Sequence, residues 1–524
     1  MSGNKKILMV AAENDALPGA KVGGVGDVIR DLPSALQSKG ADVTVVLPSY
    51  GFLRRMEHIE LIRQFNVQFA GESHMVELFR VHLDPKYGAQ YILHHPKFSP
   101  EGETVYCNDP DGRPFATDAT KFAFFSACVA QALVIGALPA PDVLHCHDWH
   151  TAFLVILLRF GFEFRSFKDL HIVFSIHNLA LQGIRPFRGD ISSFTSWYPD
   201  LHYSIDKIQD PRFLDCVNPM RAGILLSNRV HTVSPSYARE VVNPSQYNLG
   251  IYGGEGLEND LRERSNYGEV IGILNGCEYP KKMPAVLKKP KDIAQLMHDS
   301  VVKWAGASVV LASAHWLAEK RINHWLKTAS TGFNVTFVGR LTEQKARLLQ
   351  VVMPNGKTAL QNILDVLGTN GTMLVLGSGD PKIEAYLVKV CADNENFVFL
   401  NGYSDQLART LYSAGDLFFM PSSFEPCGIS QLLAMRAGQP CLVNAVGGLR
   451  DTVDNLRTGF VFEGKDIHEQ AYFMTTTFEE ALYLYLNDGS HWQEICKAAG
   501  EARFTWDAAA QRYMDDLYSL HSHG

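Results

Sequence analysis

One acidic turn and one pair of cations stand out as able to do chemistry together. Glu425 is the only charge in Phe419-Met-Pro-Ser-Ser-Phe-Glu-Pro-Cys-Gly-Ile-Ser-Gln431. The apolar run Leu417–Met420 before it reads as a buried strand, and Cys427-Gly428-Ile429-Ser430 open a helix. A carboxylate just past the carboxyl end of a strand lies where ligands bind in open α/β sheets. The exposed backbone amides after Gly428, aided by the helix dipole, suit an anion. A ligand carrying both a polyol and a phosphate would use both features; the simpler alternative is that Glu425 caps the helix. Upstream, Arg340 and Lys345 bracket Leu-Thr-Glu-Gln directly after the strand Asn334–Val338 and Gly339. Two cations leaving a strand suit a diphosphate, with helix-surface charge as the alternative.

The N-terminal half carries a second set. Lys21-Val-Gly-Gly-Val-Gly-Asp27 joins the strand Ile7–Ala12 to a helix, so amides at Gly23 and Gly24 can approach an anion closely with Lys21 beside them. This is not G-x-G-x-x-G, and a tight turn with a solvated lysine fits equally well. His145-Cys-His-Asp-Trp-His150 crowds one strand tip, and His177-Asn178, followed by Gln182, crowds the next. Three histidines within six residues resemble a zinc cluster, but no further His/Cys/Asp motif with ligand spacing follows, and a sugar pocket uses the same residue types. Asp118 opens an apolar helical stripe, where a first-turn charge is ordinary.

The elements that must position these groups are alternating strands and helices, with a more β-rich excursion across 60–95. Polar residues stand at the carboxyl ends of successive strands, which core packing alone does not require. With 524 residues the chain exceeds one core. Its hydrophobic fraction of 46% and charged fraction of 20% are those of a globular protein. A net charge of −8 excludes a general nucleic-acid binder. Nine scattered cysteines imply a reducing compartment, and no secretory h-region or membrane-length apolar run is present, so a cytoplasmic protein with no membrane partner is expected. The Lys/Pro-rich stretch 279–291 marks a connection between an N-terminal domain, 1–278, and a C-terminal domain, 292–503, with an amphipathic helix at 504–524. Residues 292–330 read as helical, packed by Trp304, Trp316 and Trp325.

Taken in order, Lys21–Asp27, His145–His150, Ser175–Gly183, Thr232–Glu240, Gly272–Gly276, Gly339–Lys345, Ser423–Gln431 and Gly447–Val453 resemble the motifs of the bacterial glycogen synthase and plant starch synthase family, nearly end to end. The resemblance implies an α/β fold of two Rossmann-like domains facing a central cleft (GT-B), with the terminal helix crossing back to the first domain. It implies transfer of glucose from ADP-glucose to the non-reducing end of an α-1,4-glucan, with retention, and neither metal nor other cofactor. Carried over onto this chain, Arg340 and Lys345 bind the donor phosphates, and Cys427, Gly428 and Ile429 hold the distal one. Glu425 holds glucose hydroxyls, His147 meets the glucose near the reaction centre, and Asp118 is its acidic partner. Lys21, Gly23 and Gly24 contact donor phosphate or acceptor, Asn178 and Gln182 face sugar hydroxyls, and Tyr403 stacks on the base. Val22 stands where the family has threonine, Asn275-Gly276-Cys277-Glu278 lacks its aspartate, and the stretch 346–371, broken by Pro354-Asn-Gly356, is irregular. Two rival readings remain open: a metal-dependent hydrolase built on His145, His147 and His150, and a catalytically idle nucleotide-sugar binder. Within the transferase class, UDP-glucose is the near rival donor.

Overall fold

Strands form where the chain carries uninterrupted Val, Ile, Leu and Phe, because strands covered on both faces have no polar side to show. A computed structural model describes residues 4–280, 287, 289–307, 312–329 and 332–519. The chain divides into two compact units, Met1–Ser245 with Gly253–Gly276 and Trp506–Gly524, and Gln246–Tyr252 with Cys277–Thr505. Gln246–Tyr252, which the sequence places inside the first domain, therefore belongs with the second unit. Most of the Lys/Pro-rich connection lies outside the described residues.

The first unit is built on β1 (Lys5–Val10), β2 (Ala41–Pro48), β3 (Ile59–Phe69), β4 (Glu72–Val81), β5 (Ala89–His94), β6 (Val143–His147), β7 (His171–Ile176), β8 (Arg229–Thr232) and β9 (Val270–Gly272). They form one sheet in the order β9-β8-β7-β6-β1-β2-β5-β4-β3. β1 pairs in parallel with both β2 and β6, so the strand order reverses there and the switch point lies between their carboxyl ends. The β-rich excursion is the antiparallel β3–β4–β5 edge. The helices Gly24–Ser38, Ala116–Val134 and Trp149–Phe160 bury Leu32, Phe122 and Phe153, among others. The terminal helix Trp506–Arg512 belongs to this unit, with the side of Asp507 held by Lys39.

The second unit carries β10 (Phe333–Val338), β11 (Gly371–Gly377), β12 (Phe397–Asn401), β13 (Leu417–Met420), β14 (Cys441–Asn444) and β15 (Gly459–Phe462). Their order is β12-β11-β10-β13-β14-β15, and every pairing is parallel. The switch point falls between β10 and β13, the two strands that lead to Arg340 and to Glu425. Both faces of the sheet are covered by apolar clusters, one containing Phe333, Leu360 and Phe478, the other Met297, Leu411 and Leu449. Of the three tryptophans expected to pack, Trp325 is buried but Trp316 is 61% exposed, on the outer face of the helix Ser313–Thr328. The irregular 346–371 stretch resolves into a turn at Gly356 (φ 79°) and a helix, Ala359–Leu367, opened by a capping box between Thr358 and Gln361. Among the described residues no helix is long and apolar enough to cross a membrane.

Candidate active site

In the second unit the adjacency of β10 and β13 brings Lys345 Nζ to 3.2 Å from Glu425 Oε2. Ser422 Oγ donates to the same oxygen at 3.3 Å. Glu425 is only 8% exposed, and a carboxylate so far out of water needs such partners. It does not cap the following helix: Ser430–Arg436 has Ile429 at its N-cap, with no side-chain capping bond. Lys345 crosses the face of Gly339, where a β-carbon would stand 3.4 Å from its Cδ. Gln344, which no motif singles out, ties the two loops together. Its carbonyl accepts from Ser423 N at 2.9 Å and Ser423 Oγ at 3.0 Å, and its Nε2 donates to Phe424 O at 2.6 Å. Arg340 is exposed, and its guanidinium makes no hydrogen bond or ion pair among the described residues.

The glycine pair after β14 holds the acidic turn from the other side. A β-carbon on Gly447 would lie 2.0 Å from Glu425 O, and one on Gly448 would lie 2.2 Å from Cys427 O. Gly447 also has φ +44°, so no other residue lets this turn come so close. Gly428 (φ +78°) follows the buried Cys427, and Gln431 Nε2 donates to the carbonyls of both at 3.1 and 3.2 Å. Tyr403 lies after the edge strand β12, 66% exposed as a residue, with its hydroxyl on Asp405. Trp304 anchors this loop, covering Gly402 and donating Nε1 to Tyr403 O at 3.1 Å.

In the first unit the glycine-rich turn and the His145–His150 tip flank the β1/β6 switch point. The amide of Gly23, expected to be open to an anion, already donates to Glu13 Oε2 at 2.5 Å, as does that of Val22 at 2.8 Å. Glu13 is buried, and Tyr106 Oη donates to its other oxygen at 2.7 Å. Gly24 remains exposed at the first position of its helix. Lys21 is held by Asp27 at 2.6 Å and Asp15 at 3.2 Å, with Arg30 against the same two carboxylates. Burial lowers the Lys21 pKa, but these carboxylates outweigh it and raise the net value.

His145 and His147 share one side of β6, but the third histidine turns away. His150 packs among Tyr106, Phe122 and Trp149. Among the described residues no group of three or more His, Cys, Asp or Glu is arranged to hold a metal ion. His147 Nδ1 lies 3.0 Å from His177 Nε2, and its Nε2 is buried without a partner. Asp148 has φ +56°, a strained value for a non-glycine residue, and its Oδ1 accepts from His177 N at 2.7 Å, pinning the tip of β7 to that of β6. Gly183 (φ +67°) exists for Trp149: a β-carbon there would sit 2.1 Å from the indole.

One expected sugar contact, Gln182, and the expected acidic partner of His147, Asp118, are otherwise engaged. Gln182 donates Nε2 to Leu179 O and Glu255 O, and its Oε1 accepts from Arg212 and Asn218, each at 2.7 Å. All its hydrogen-bonding capacity holds the local fold, so it is not free to face a hydroxyl. Asp118 makes a buried pair with Lys121 at 2.6 Å and accepts Cys107 N, steadying the 105–107 loop, and no hydrogen bond joins it to His147. Asn178, by contrast, is half-buried with its side-chain nitrogen unpartnered among the described residues.

Burial drives every imidazole of this cluster toward the neutral form. His145, His147 and His150 are pushed well below the usual range, His177 to about 4 and His231 to about 3. Burial raises Asp148 to about 7. Unfolding releases the histidines to take up protons below about pH 6.5, so they cost stability as the pH falls from there toward 4. Asp148 acts in the opposite sense, because its folded form holds a proton that the unfolded form loses above about pH 4. Five imidazoles outnumber one carboxyl, so the unfolding temperature is expected to drop from pH 7.5 to pH 5. Equal melting temperatures by calorimetry at the two values would contradict this.

Comparison with known proteins places these features in a lineage. The starch synthase catalytic domain matches residues 6–263, and glycosyl transferases group 1 matches residues 332–479. The glycogen synthase of Desulfitobacterium hafniense is 30% identical, covering 98% of this chain and 99% of its own. A glycogen synthase of Streptococcus pneumoniae is 33% identical with the same coverage. The catalytic domain of starch synthase IV from Arabidopsis thaliana, bound to ADP and acarbose, superposes with a TM-score of 0.74 at 26% identity over 99% of both chains. Sucrose-phosphate synthase from Thermosynechococcus elongatus, at 17% identity and a TM-score of 0.56 over 98% of both chains, shares the fold. Two α/β units, motifs in family order and relatives matched end to end together mean that the chain belongs to the glycogen and starch synthase family, glycosyltransferases of the GT-B type.

Proposed function

We propose that the protein transfers glucose from ADP-glucose to the non-reducing end of an α-1,4-glucan, with retention of configuration and release of ADP, in the cytoplasm. The observation that carries this reading is the second unit's switch point, where Lys345 faces the sheltered Glu425 while Arg340 has no carboxylate partner among the described residues. When the bond from glucose to the diphosphate breaks, negative charge develops on the leaving oxygens, and cations already in place stabilise it without reorganising. Arg340 and Lys345 take that role, and the turn Cys427-Gly428-Ile429 takes the distal phosphate. Glu425 accepts hydrogen bonds from glucose hydroxyls. In the first unit His147 offers its unpartnered Nε2 to the glucose, and Asn178 offers its free amide nitrogen to a hydroxyl. Lys21 and Gly24 remain candidates for a phosphate or acceptor contact, Lys21 only by exchanging carboxylate partners. Asp118 and Gln182 hold the surrounding loops. Tyr403 offers an exposed ring to the base. That starch synthase IV is bound to ADP and acarbose supports an adenine nucleotide and a saccharide as the ligand classes here.

The test is transfer of labelled glucose to glycogen from ADP-glucose and UDP-glucose in parallel, with chelator present. Incorporation from ADP-glucose despite chelator, into amylase-sensitive product, is the expected result. Incorporation from UDP-glucose alone would replace the donor. Activity lost to chelator and restored by zinc would turn attention to the histidines of β6, and no incorporation at all would remove the transferase reading.

A further inference from the structure

The first unit buries a chain of hydrogen bonds running from the C-terminal segment to the tip of β6. Tyr518 Oη lies 2.7 Å from His145 Nδ1, and His145 Nε2 lies 2.6 Å from Ser175 Oγ. Ser175 Oγ lies 2.8 Å from His231 Nδ1, and His231 Nε2 lies 3.4 Å from Ile273 O. All four side chains are fully buried. Tyr513 Oη also lies near His231, 3.4 Å from Nδ1 and 3.3 Å from Nε2, so the ring's tautomer depends on which partner Nε2 serves. With Nε2–H donated to the Ile273 carbonyl, which only accepts, His231 accepts at Nδ1. Ser175 must then donate to His231 and accept from His145 Nε2–H, which leaves His145 Nδ1 to accept from the Tyr518 hydroxyl. Burial keeps both imidazoles neutral, as one donor and one acceptor per ring requires.

His145 is also the ring against which His147 rests. Their centroids are 4.1 Å apart with the planes 32° from parallel, while His177 bonds the Nδ1 of His147. The C-terminal segment is fastened independently at several points. Lys5 Nζ donates to Tyr518 O at 2.6 Å, His171 Nε2 lies 2.7 Å from Leu517 O, and Arg512 Nη1 donates to Gly272 O at 3.0 Å. These contacts would hold the segment without the Tyr518 hydroxyl, so the hydroxyl is free to serve another purpose.

We propose that Tyr518 is a positioning residue for glucosyl transfer: through His145 it sets the tautomer and plane of the ring on which His147 is stacked, and thereby aims the unpartnered Nε2 of His147. The inference rests on the reading of His147 as a donor-contacting group.

Tyr518→Phe keeps the buried ring and every backbone contact while deleting the hydroxyl. Its expected effect is an about 3- to 10-fold loss of kcat, the cost of one hydrogen bond acting on the transition state, with KM for ADP-glucose and calorimetric ADP affinity unchanged. Long-range proton–nitrogen spectra should show His145 as the single Nε2–H tautomer in the parent and a mixture in the variant. Ser175→Ala breaks the same chain one link further on and should lower kcat in the same way. Unchanged kcat in both variants, or losses that follow the fraction of folded protein, would overturn the proposal and leave a structural clasp. His147→Ala separates the two layers. If it retains full turnover, the reading of His147 fails; if it is inactive while Tyr518→Phe is fully active, only the positioning role fails.

Discussion

Glu425→Gln is expected to fold like the parent and to transfer glucose about a thousand-fold more slowly or worse, the upper range for loss of one preorganised electrostatic contact. The substitution preserves volume in a turn held by Gly447 and Gly448, so the backbone has no cause to move. The amide oxygen can still accept from Ser422 Oγ. What disappears is the charge 3.2 Å from Lys345. Lys345 is about one-fifth exposed and stays partly solvated, so the stability cost should be near the 1 kcal/mol typical of pairs that water still reaches. The catalytic cost is larger because the carboxylate does two things at once. It accepts from hydroxyls as a charged, roughly doubly strong acceptor, and it holds the ammonium over Gly339. An amide also presents an NH₂ where sugar hydroxyls need an acceptor. Steady-state transfer to glycogen together with a melting curve tests this, and a well-folded variant with parental kcat would reduce Glu425 to a structural residue.

Whether a feature could be read from the sequence depended on how local its cause was. The strands β10 and β13 were legible because Asn334–Val338 is rich in β-branched and aromatic residues and Leu417–Met420 is an unbroken apolar run, and a carboxylate or cation just past such a run lies at a sheet's carboxyl edge. The meeting of Lys345 with Glu425 was not legible, since it follows from the parallel pairing of two strands distant in sequence. Gln344 was overlooked for the same reason: its partners Ser423 and Phe424 lie on the other strand's loop. Gln182 and Asp118 show the opposite error. Gln182 sits in a motif suited to a ligand, but Arg212 and Asn218 saturate it, and no spacing rule announces those partners; Asp118 pairs with Lys121 three residues on along its helix, a spacing the sequence does carry. Glu13 shows it at the level of backbone: the glycine-rich turn has the amides an anion needs, but the protein supplies its own carboxylate to two of them. The Tyr518–His145 bond spans 373 residues of sequence and could be found only once the terminal helix was seen to pack on the first unit.

Lys345→Ala is expected to lower kcat by about 10²–10³, the usual consequence of removing one preorganised donor to developing charge. Two mechanisms would produce a loss, and they differ in what a second substitution does. Lys345 could act directly on the leaving diphosphate. Alternatively, it could act only by neutralising Glu425, in which case alanine leaves an unpaired carboxylate, 8% exposed, repelling an anionic donor. In the second case, Lys345→Ala combined with Glu425→Gln would bind ADP better than Lys345→Ala alone, because the stranded charge is gone. In the first case the double variant would be no faster than the slower single one, since residues acting as a unit give strongly non-additive losses. The direct role is favoured by Arg340, which has no carboxylate partner among the described residues and stands at the end of the same strand. A neutralising lysine would not need a second cation, itself without a carboxylate partner among the described residues, on the same loop. Measuring kcat and ADP affinity for the two single variants and the double one decides the matter, and near-parental turnover in Lys345→Ala would remove it from the mechanism.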